Sequence, residues 1–98
     1  MIIDDIGVDA AAYYVGMRRP FRIGVSLWAT RSPEESSTGD LSLSWAHRWK
    51  RDFEEIAYVV VAEGTPVAWI LCDGTPVLPD CKLSPSAHRF QMMIAPAL

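Results

Sequence analysis

The chain has little cysteine and no long apolar run. Its two cysteines, Cys72 and Cys81, are too few for a disulfide framework, and their nine-position spacing is not that of a paired zinc site. Along an extended hairpin they would lie roughly 20 Å apart, so we predict no disulfide between them. The longest apolar stretches, 56–62 and 67–72, are far shorter than the roughly 20 residues of a membrane-spanning helix. We therefore expect no membrane span.

The chain also lacks an excess of basic charge. Nine Lys and Arg against twelve Asp and Glu give a net charge of −3, which supplies no general attraction to nucleic acid or anionic lipid. Residues 1–6 show neither the basic region nor the apolar run of a secretion signal, so we expect a cytoplasmic protein. The two histidines, His47 and His88, have no ligand spacing typical of zinc, and no glycine-rich phosphate loop occurs. We expect no metal and no cofactor.

What is present is ordinary globular composition. Of the 98 residues, half are hydrophobic and 21% are charged, which predicts one folded domain over residues 1–98. A domain of this size buries only about 60–65% of its extended surface, so its four Trp and three Phe carry much of the core. Because such a core is small, a homo-oligomer is an open alternative.

The clearest pattern is a local repeat. Glu63–Val67 (Glu-Gly-Thr-Pro-Val) recurs ten residues later as Asp73–Val77 (Asp-Gly-Thr-Pro-Val), and an acidic residue followed by Gly suits a tight hairpin turn. In the predicted register, Ala62 lies opposite Val67, and Trp69 lies between Val60 and Leu78. The middle strand is apolar on both faces, so we expect it to be covered on both sides. Three antiparallel strands are predicted, at about 56–62, 67–72 and 75–78.

The segment 41–56 fits two structures. Its alternating apolar residues are typical of a half-buried strand, but they also form one helical stripe. We favour the helix, because it places three basic residues four positions before three acidic ones. These pairs are Arg48 with Asp52, Lys50 with Glu54, and Arg51 with Glu55.

The remaining elements follow from local signals. We predict a short helix over 8–17, a strand over 21–29 and a long loop over 30–40. Ser84 as N-cap and Pro85 at the first position predict a helix over 85–94. The fold class is therefore α+β: a small antiparallel β-meander sheet packed by two or three short helices.

Aromatic and basic residues alternate in 45–53. Arg48, Lys50 and Arg51 are interleaved with Trp45 and Trp49. Trp and Arg are enriched at protein-binding hot spots, and aromatic side chains with Arg also clasp single-stranded nucleic acid. For this segment we favour a purely structural interpretation, in which the aromatics face the core and the charged residues pair in solvent, and a partner-binding surface is the main alternative.

Part of the chain resembles a family of small proteins encoded by actinobacterial phages and related mobile elements. The resemblance rests on 65–69 (Thr-Pro-Val-Ala-Trp), on 73–80 (Asp-Gly-Thr-Pro-Val-Leu-Pro-Asp), and on Ser84, His88 and Gln91, about a quarter of the chain. The family usually has Tyr before the Ser, where this chain has Leu83, and lacks the Arg89-Phe90 insertion between His and Gln. The resemblance implies an accessory phage product acting in the bacterial cytoplasm.

These observations predict a non-enzymatic phage accessory protein that binds a host bacterial protein and modulates host growth or defence. One alternative is a regulatory protein that binds nucleic acid, which the negative net charge disfavours. A second is a small hydrolase or nuclease, which requires a pocket where a histidine meets a carboxylate or thiol. We predict no catalytic and no metal-binding residues. The predicted binding residues are Trp45, Arg48, Trp49, His88 and Arg89.

Overall fold

A computed structural model describes residues 3–4 and 8–98 as one six-stranded sheet flanked by three helices. The strands lie in chain order across the sheet. Neighbouring strands are antiparallel, except that the first pairs parallel to the second. This arrangement confirms the predicted α+β class. The strands are β1 (Ile3–Asp4), β2 (Phe21–Ile23), β3 (Leu27–Thr30), β4 (Ile56–Ala62), β5 (Thr65–Leu71) and β6 (Pro76–Val77).

The helices are short, as the sequence predicts. Within the segment 41–56 the favoured helix forms over Leu43–Asp52, a 3-10 turn over Phe53–Glu55 follows it, and Ile56 begins β4. The predicted first helix is a 3-10 turn, Val8–Ala10, that leads into a single short α-helix. In the last helix the Ser84 hydroxyl accepts a hydrogen bond from the Ala87 amide at 3.2 Å, which confirms the cap. The three helices are α1 (Ala11–Gly16), α2 (Leu43–Asp52) and α3 (Pro85–Ile94).

The two faces of the sheet build two separate apolar clusters. Along β4, Tyr58, Val60 and Ala62 pack in the cluster covered by α1 and α3, whereas Val59 and Val61 pack in the cluster covered by α2. This alternation is what a pleated strand buried on both faces requires. On β5, the predicted middle strand, Ala68 and Ile70 lie in the first cluster and Trp69 lies in the second, so the prediction that this strand is covered on both sides is confirmed.

The predicted register between β4 and β5 is wrong by two residues next to the turn and by one residue at Trp69. Glu63 and Gly64 form a two-residue turn with φ of 50° and 81°, so the following Thr-Pro belongs to the strand and not to the loop. Ala62 consequently pairs with Thr65 rather than with Val67. Val67 has no partner on β4 and is the extra residue of a β-bulge, which shifts the register of the pairs that follow by one residue.

The register slip also changes the neighbours of Trp69. Trp69 pairs with Val59 on β4 and with Val77 on β6, rather than with Val60 and Leu78. Because Val59 and Val77 both belong to the cluster under α2, Trp69 lies on the α2 face of the sheet.

The predicted strand over 21–29 and two of the three predicted ion pairs in α2 need correction. The predicted strand over 21–29 is a hairpin, because Gly24 adopts a φ of 55° and turns the chain between β2 and β3. Of the three predicted ion pairs in α2, only Arg48 with Asp52 forms among the described residues. The carboxylates of Glu54 and Glu55 lie in a 3-10 turn, which breaks the four-residue helical spacing. The predicted loop over 30–40 contains one 3-10 turn, Pro33–Glu35.

Candidate functional site

The inner side of α2 is an aromatic cluster centred on Trp69. The Trp69 indole is fully buried, and the rings of Trp49 and Trp45 meet it edge-on, with centroids 5.1 Å and 6.3 Å away. Phe53 meets the Trp49 ring in the same way at 6.0 Å. These edge-to-face contacts fix α2 on the sheet through its aromatic residues.

A buried carboxylate joins this cluster to the outside of the helix. Asp52 Oδ2 accepts a hydrogen bond from Trp69 Nε1 at 3.1 Å and a second from Arg48 Nε at 2.7 Å. Arg51 Nε lies 3.7 Å from Asp52 Oδ1. The bond to a charged partner is short, as expected for a charge-assisted hydrogen bond, and it fixes the orientation of the Arg48 guanidinium.

Two open grooves lie beside α2. The first, which we call the Trp45 groove, has a volume of about 340 Å³ and is lined by Ser44, Trp45, Arg48 and Arg51. The second, the Phe53 groove, has a volume of about 630 Å³ and shares Arg51 with the first. The Phe53 groove is lined by Ser37, Thr38, Trp49, Lys50, Arg51, Phe53, Glu54 and Glu55.

An exposed leucine lies on the same helix. Leu43 is 74% exposed at the first position of α2, and it is outside the apolar stripe that faces the sheet. We define the α2 surface as Leu43, Trp45, Arg48 and Arg51; the last three line the Trp45 groove, whereas Leu43 lines neither groove. Leu43 and Arg51 were not among the predicted site residues. The available signal for Leu43 was a large apolar residue on the polar side of an amphipathic helix.

The structure does not bring the five predicted binding residues together. Trp45 and Arg48 are half-buried on α2, and Trp49 is only 3% exposed because it packs on Trp69. His88 and Arg89 are exposed on α3, which covers the opposite face of the sheet. The five residues therefore lie on two helices that cover opposite faces of the sheet. The sequence does not indicate which face each helix covers.

The arrangement that a hydrolase needs is not found in the described residues. His47 lies on α2 and His88 on α3, on opposite faces of the sheet, and neither groove contains a histidine or a cysteine. Cys72 and Cys81 are free thiols. No group of potential metal ligands occurs in the part of the chain that the structure describes.

Two titratable groups have shifted pKa values, and both shifts have structural causes. Burial raises the pKa of Tyr58, whose hydroxyl donates to the Arg19 carbonyl at 2.8 Å. Hydrogen bonds from the Thr75 side chain and amide lower the pKa of Asp73 in an exposed turn. Neither group lies in a groove beside α2, so neither contributes to the site described above.

Over residues 3–4 and 8–98, no helix combines the length and the hydropathy needed to cross a bilayer.

Comparisons with known proteins identify no relative of this chain. No protein-family model, curated protein or solved structure matches the chain.

Proposed function

We propose that this chain is a non-enzymatic accessory protein that binds another protein through the α2 surface. The observation that carries the proposal is Leu43, an exposed leucine on the same helix as the partly exposed Trp45 and the two grooves. From the resemblance described above, we further propose that the gene is of phage origin. The partner is then a cytoplasmic protein of the bacterial host, and binding alters host growth or defence.

The chemistry of this surface supports a protein partner. Buried aromatic and arginine side chains dominate the energetics of protein interfaces, and both types lie in the Trp45 groove. The inner side of α2 already completes the core, so the outer side is available to a partner without any loss of packing. Trp45 serves both sides, because it contacts Trp69 and also lines the groove.

Affinity capture with face-specific variants tests the proposal. The tagged chain is expressed in a bacterial host, bound proteins are identified by mass spectrometry, and growth is recorded. We expect Leu43→Ser and Arg51→Glu to lose a captured protein and the growth effect. Both side chains are exposed, at 74% for Leu43 and 71% for the Arg51 side chain, so the fold should tolerate the changes.

Matched controls carry the same changes elsewhere. Val25→Ser replaces another exposed apolar residue, and Arg89→Glu reverses an exposed charge on α3. We expect both controls to retain the partner. Equal capture by all four variants, or selective loss with Arg89→Glu, would refute binding through α2.

Nucleic-acid binding is the alternative hypothesis. Contacts from Arg48, Lys50 and Arg51 to phosphates would weaken steeply as salt rises. Filter binding of a single-stranded oligonucleotide at low and high salt distinguishes the two: strong, salt-sensitive binding lost in Arg51→Glu favours nucleic acid, and its absence favours a protein partner.

A further inference from the structure

We infer that the Trp45 groove receives an acidic segment of the partner protein, with a carboxylate on Arg48 and Arg51 and an apolar side chain against Trp45. This inference rests on the proposed function and specifies the chemistry of the partner. The groove is lined by two arginines, one tryptophan and one serine, and no acidic side chain lines it. Asp52 contacts both arginines from outside this lining, so two positive charges and one negative charge leave a net charge of +1, opposite in sign to the net charge of −3 of the whole chain.

The guanidinium of Arg48 is already oriented in a way that suits binding of a carboxylate. Its Nε donates to Asp52, and Asp52 accepts a second hydrogen bond from the buried Trp69 indole, so the orientation of the planar guanidinium is fixed by a residue of β5. In the described part of the chain, its two terminal nitrogens make no hydrogen bond. A guanidinium fork with free terminal N–H groups binds a carboxylate in a bidentate manner, and an immobilised side chain loses less entropy on binding.

The neighbouring charges favour an acidic peptide over a nucleic acid. Beyond Arg51, the Phe53 groove is lined by Glu54 and Glu55 as well as by Lys50. A run of phosphates that continued along α2 would meet these two carboxylates, and like charges repel. A peptide with one or two carboxylates near Trp45 and neutral residues beyond them avoids this repulsion.

The inference is tested with a displayed library of random peptides, about twelve residues long, selected on the purified wild-type chain. The same selection is run on a double variant, Arg48→Gln with Arg51→Gln, and on an opposite-face control, Arg89→Gln. We expect the wild type and the control to enrich peptides that combine Asp or Glu with an aromatic or aliphatic residue. Binding of a selected peptide should weaken about tenfold or more in the double variant, since two charge-assisted contacts are lost.

Each outcome decides the inference. Enrichment of acidic peptides that depends on the two arginines supports it, and a Gln-for-Glu version of a selected peptide should then bind at least about tenfold more weakly. Enrichment of neutral or basic peptides, no enrichment, or displacement of the peptide by a single-stranded oligonucleotide overturns it. The proposed function is decided separately: a captured protein that is lost with Leu43→Ser but kept by the double variant leaves the proposed function standing and refutes the acidic partner.

Discussion

The indole nitrogen of Trp69 donates a hydrogen bond to Asp52 Oδ2 over 3.1 Å, and both residues are buried. Trp69 lies on β5, between β4 and the edge strand β6, and Asp52 is the last residue of α2. The bond therefore ties the helix that carries the candidate surface to a strand that is buried over most of its length. Because Asp52 also fixes Arg48, a single carboxylate links the core to the groove.

Removing that carboxylate should destabilise the protein. Asp52→Ala leaves the buried Trp69 N–H without an acceptor and frees Arg48, so we expect a loss of about 1–3 kcal/mol in the free energy of unfolding. Asp52→Asn keeps an acceptor oxygen and should lose less. Urea unfolding followed by tryptophan fluorescence measures both, and Asp80→Ala, at an exposed position, is the control. An Asp52→Ala variant as stable as the control would contradict this account of the helix.

The buried amide of Gln91 completes an unpaired edge of the sheet. Its Nε2 donates to the carbonyls of Val67 and Pro79 at 3.0 Å and 2.9 Å. Val67 is the bulge residue of β5, and β6 is too short to reach it. Gln91 of α3 thus takes the place of a neighbouring strand.

Replacing this amide by a carboxylate should therefore be costly and pH-dependent. Gln91→Glu cannot donate when ionised, and we expect a loss of at least about 2 kcal/mol near pH 7. The protonated acid can donate one bond, so the difference from wild type should shrink as the pH is lowered towards about 4. Chemical unfolding at both pH values checks this, with Ser86→Ala as an exposed control. A pH-independent difference would show that the amide bonds are not the cause.

Tyr58 should make the fold sensitive to alkaline conditions. Burial raises its pKa above the value of about 10 in the unfolded chain, so the folded state holds the phenol proton more tightly. The stabilisation is complete below about pH 10 and declines as the pH rises above it, by up to about 1.4 kcal/mol per pH unit. We expect Tyr58→Phe to lose about 0.5–1.5 kcal/mol at neutral pH, from the bond to Arg19, and to lack this component of the decline.

Unfolding of wild type and Tyr58→Phe at pH 8 and pH 11 measures the effect. The matched control is Tyr13→Phe, because Tyr13 is 66% exposed. Its decline with pH should equal that of the wild type. If Tyr58→Phe declines as steeply as Tyr13→Phe, the buried phenol is not responsible.

Adding a side chain at Gly39 should lower the free energy of unfolding, because Gly39 packs closely against the turn between β4 and β5. Its φ is 52°, and a Cβ there would lie 2.5 Å from the Gly64 carbonyl oxygen and against Thr65. Gly24 has a similar φ of 55° but open space around it. We expect Gly24→Ala to lose about 1–2 kcal/mol from conformation alone, and Gly39→Ala to lose clearly more. Similar midpoints of thermal unfolding for the two variants would exclude the packing effect.

Local chemistry made much of the fold predictable from the sequence. The Gly-Thr-Pro repeat fixed the meander, and Ser84-Pro85 fixed the start of α3. The register was predicted wrongly because Thr-Pro after Gly was assigned to the loop, whereas Glu63 itself adopts a positive φ and completes a two-residue turn. The predicted turn was two residues too long, and an error in turn length moves every pair along the strand up to the next bulge.

The candidate site was predictable only in part. The aromatic stripe of α2 and its charged residues identified the helix that carries the grooves. The stripe could not show that Trp49 would be buried on Trp69 while Trp45 stays partly exposed. Nor could it place His88 and Arg89 on the far side of the sheet, because that depends on which face each helix covers. These are properties of tertiary packing, not of local pattern.

The most direct test of the account is a chemical-shift map of the ¹⁵N-labelled chain titrated with the captured partner. If the α2 surface is the interface, the largest changes lie in Leu43–Asp52 and at the Trp45 indole nitrogen. The amides of His88 and Arg89 should stay unchanged. Changes concentrated on α3, with α2 unaffected, would contradict it.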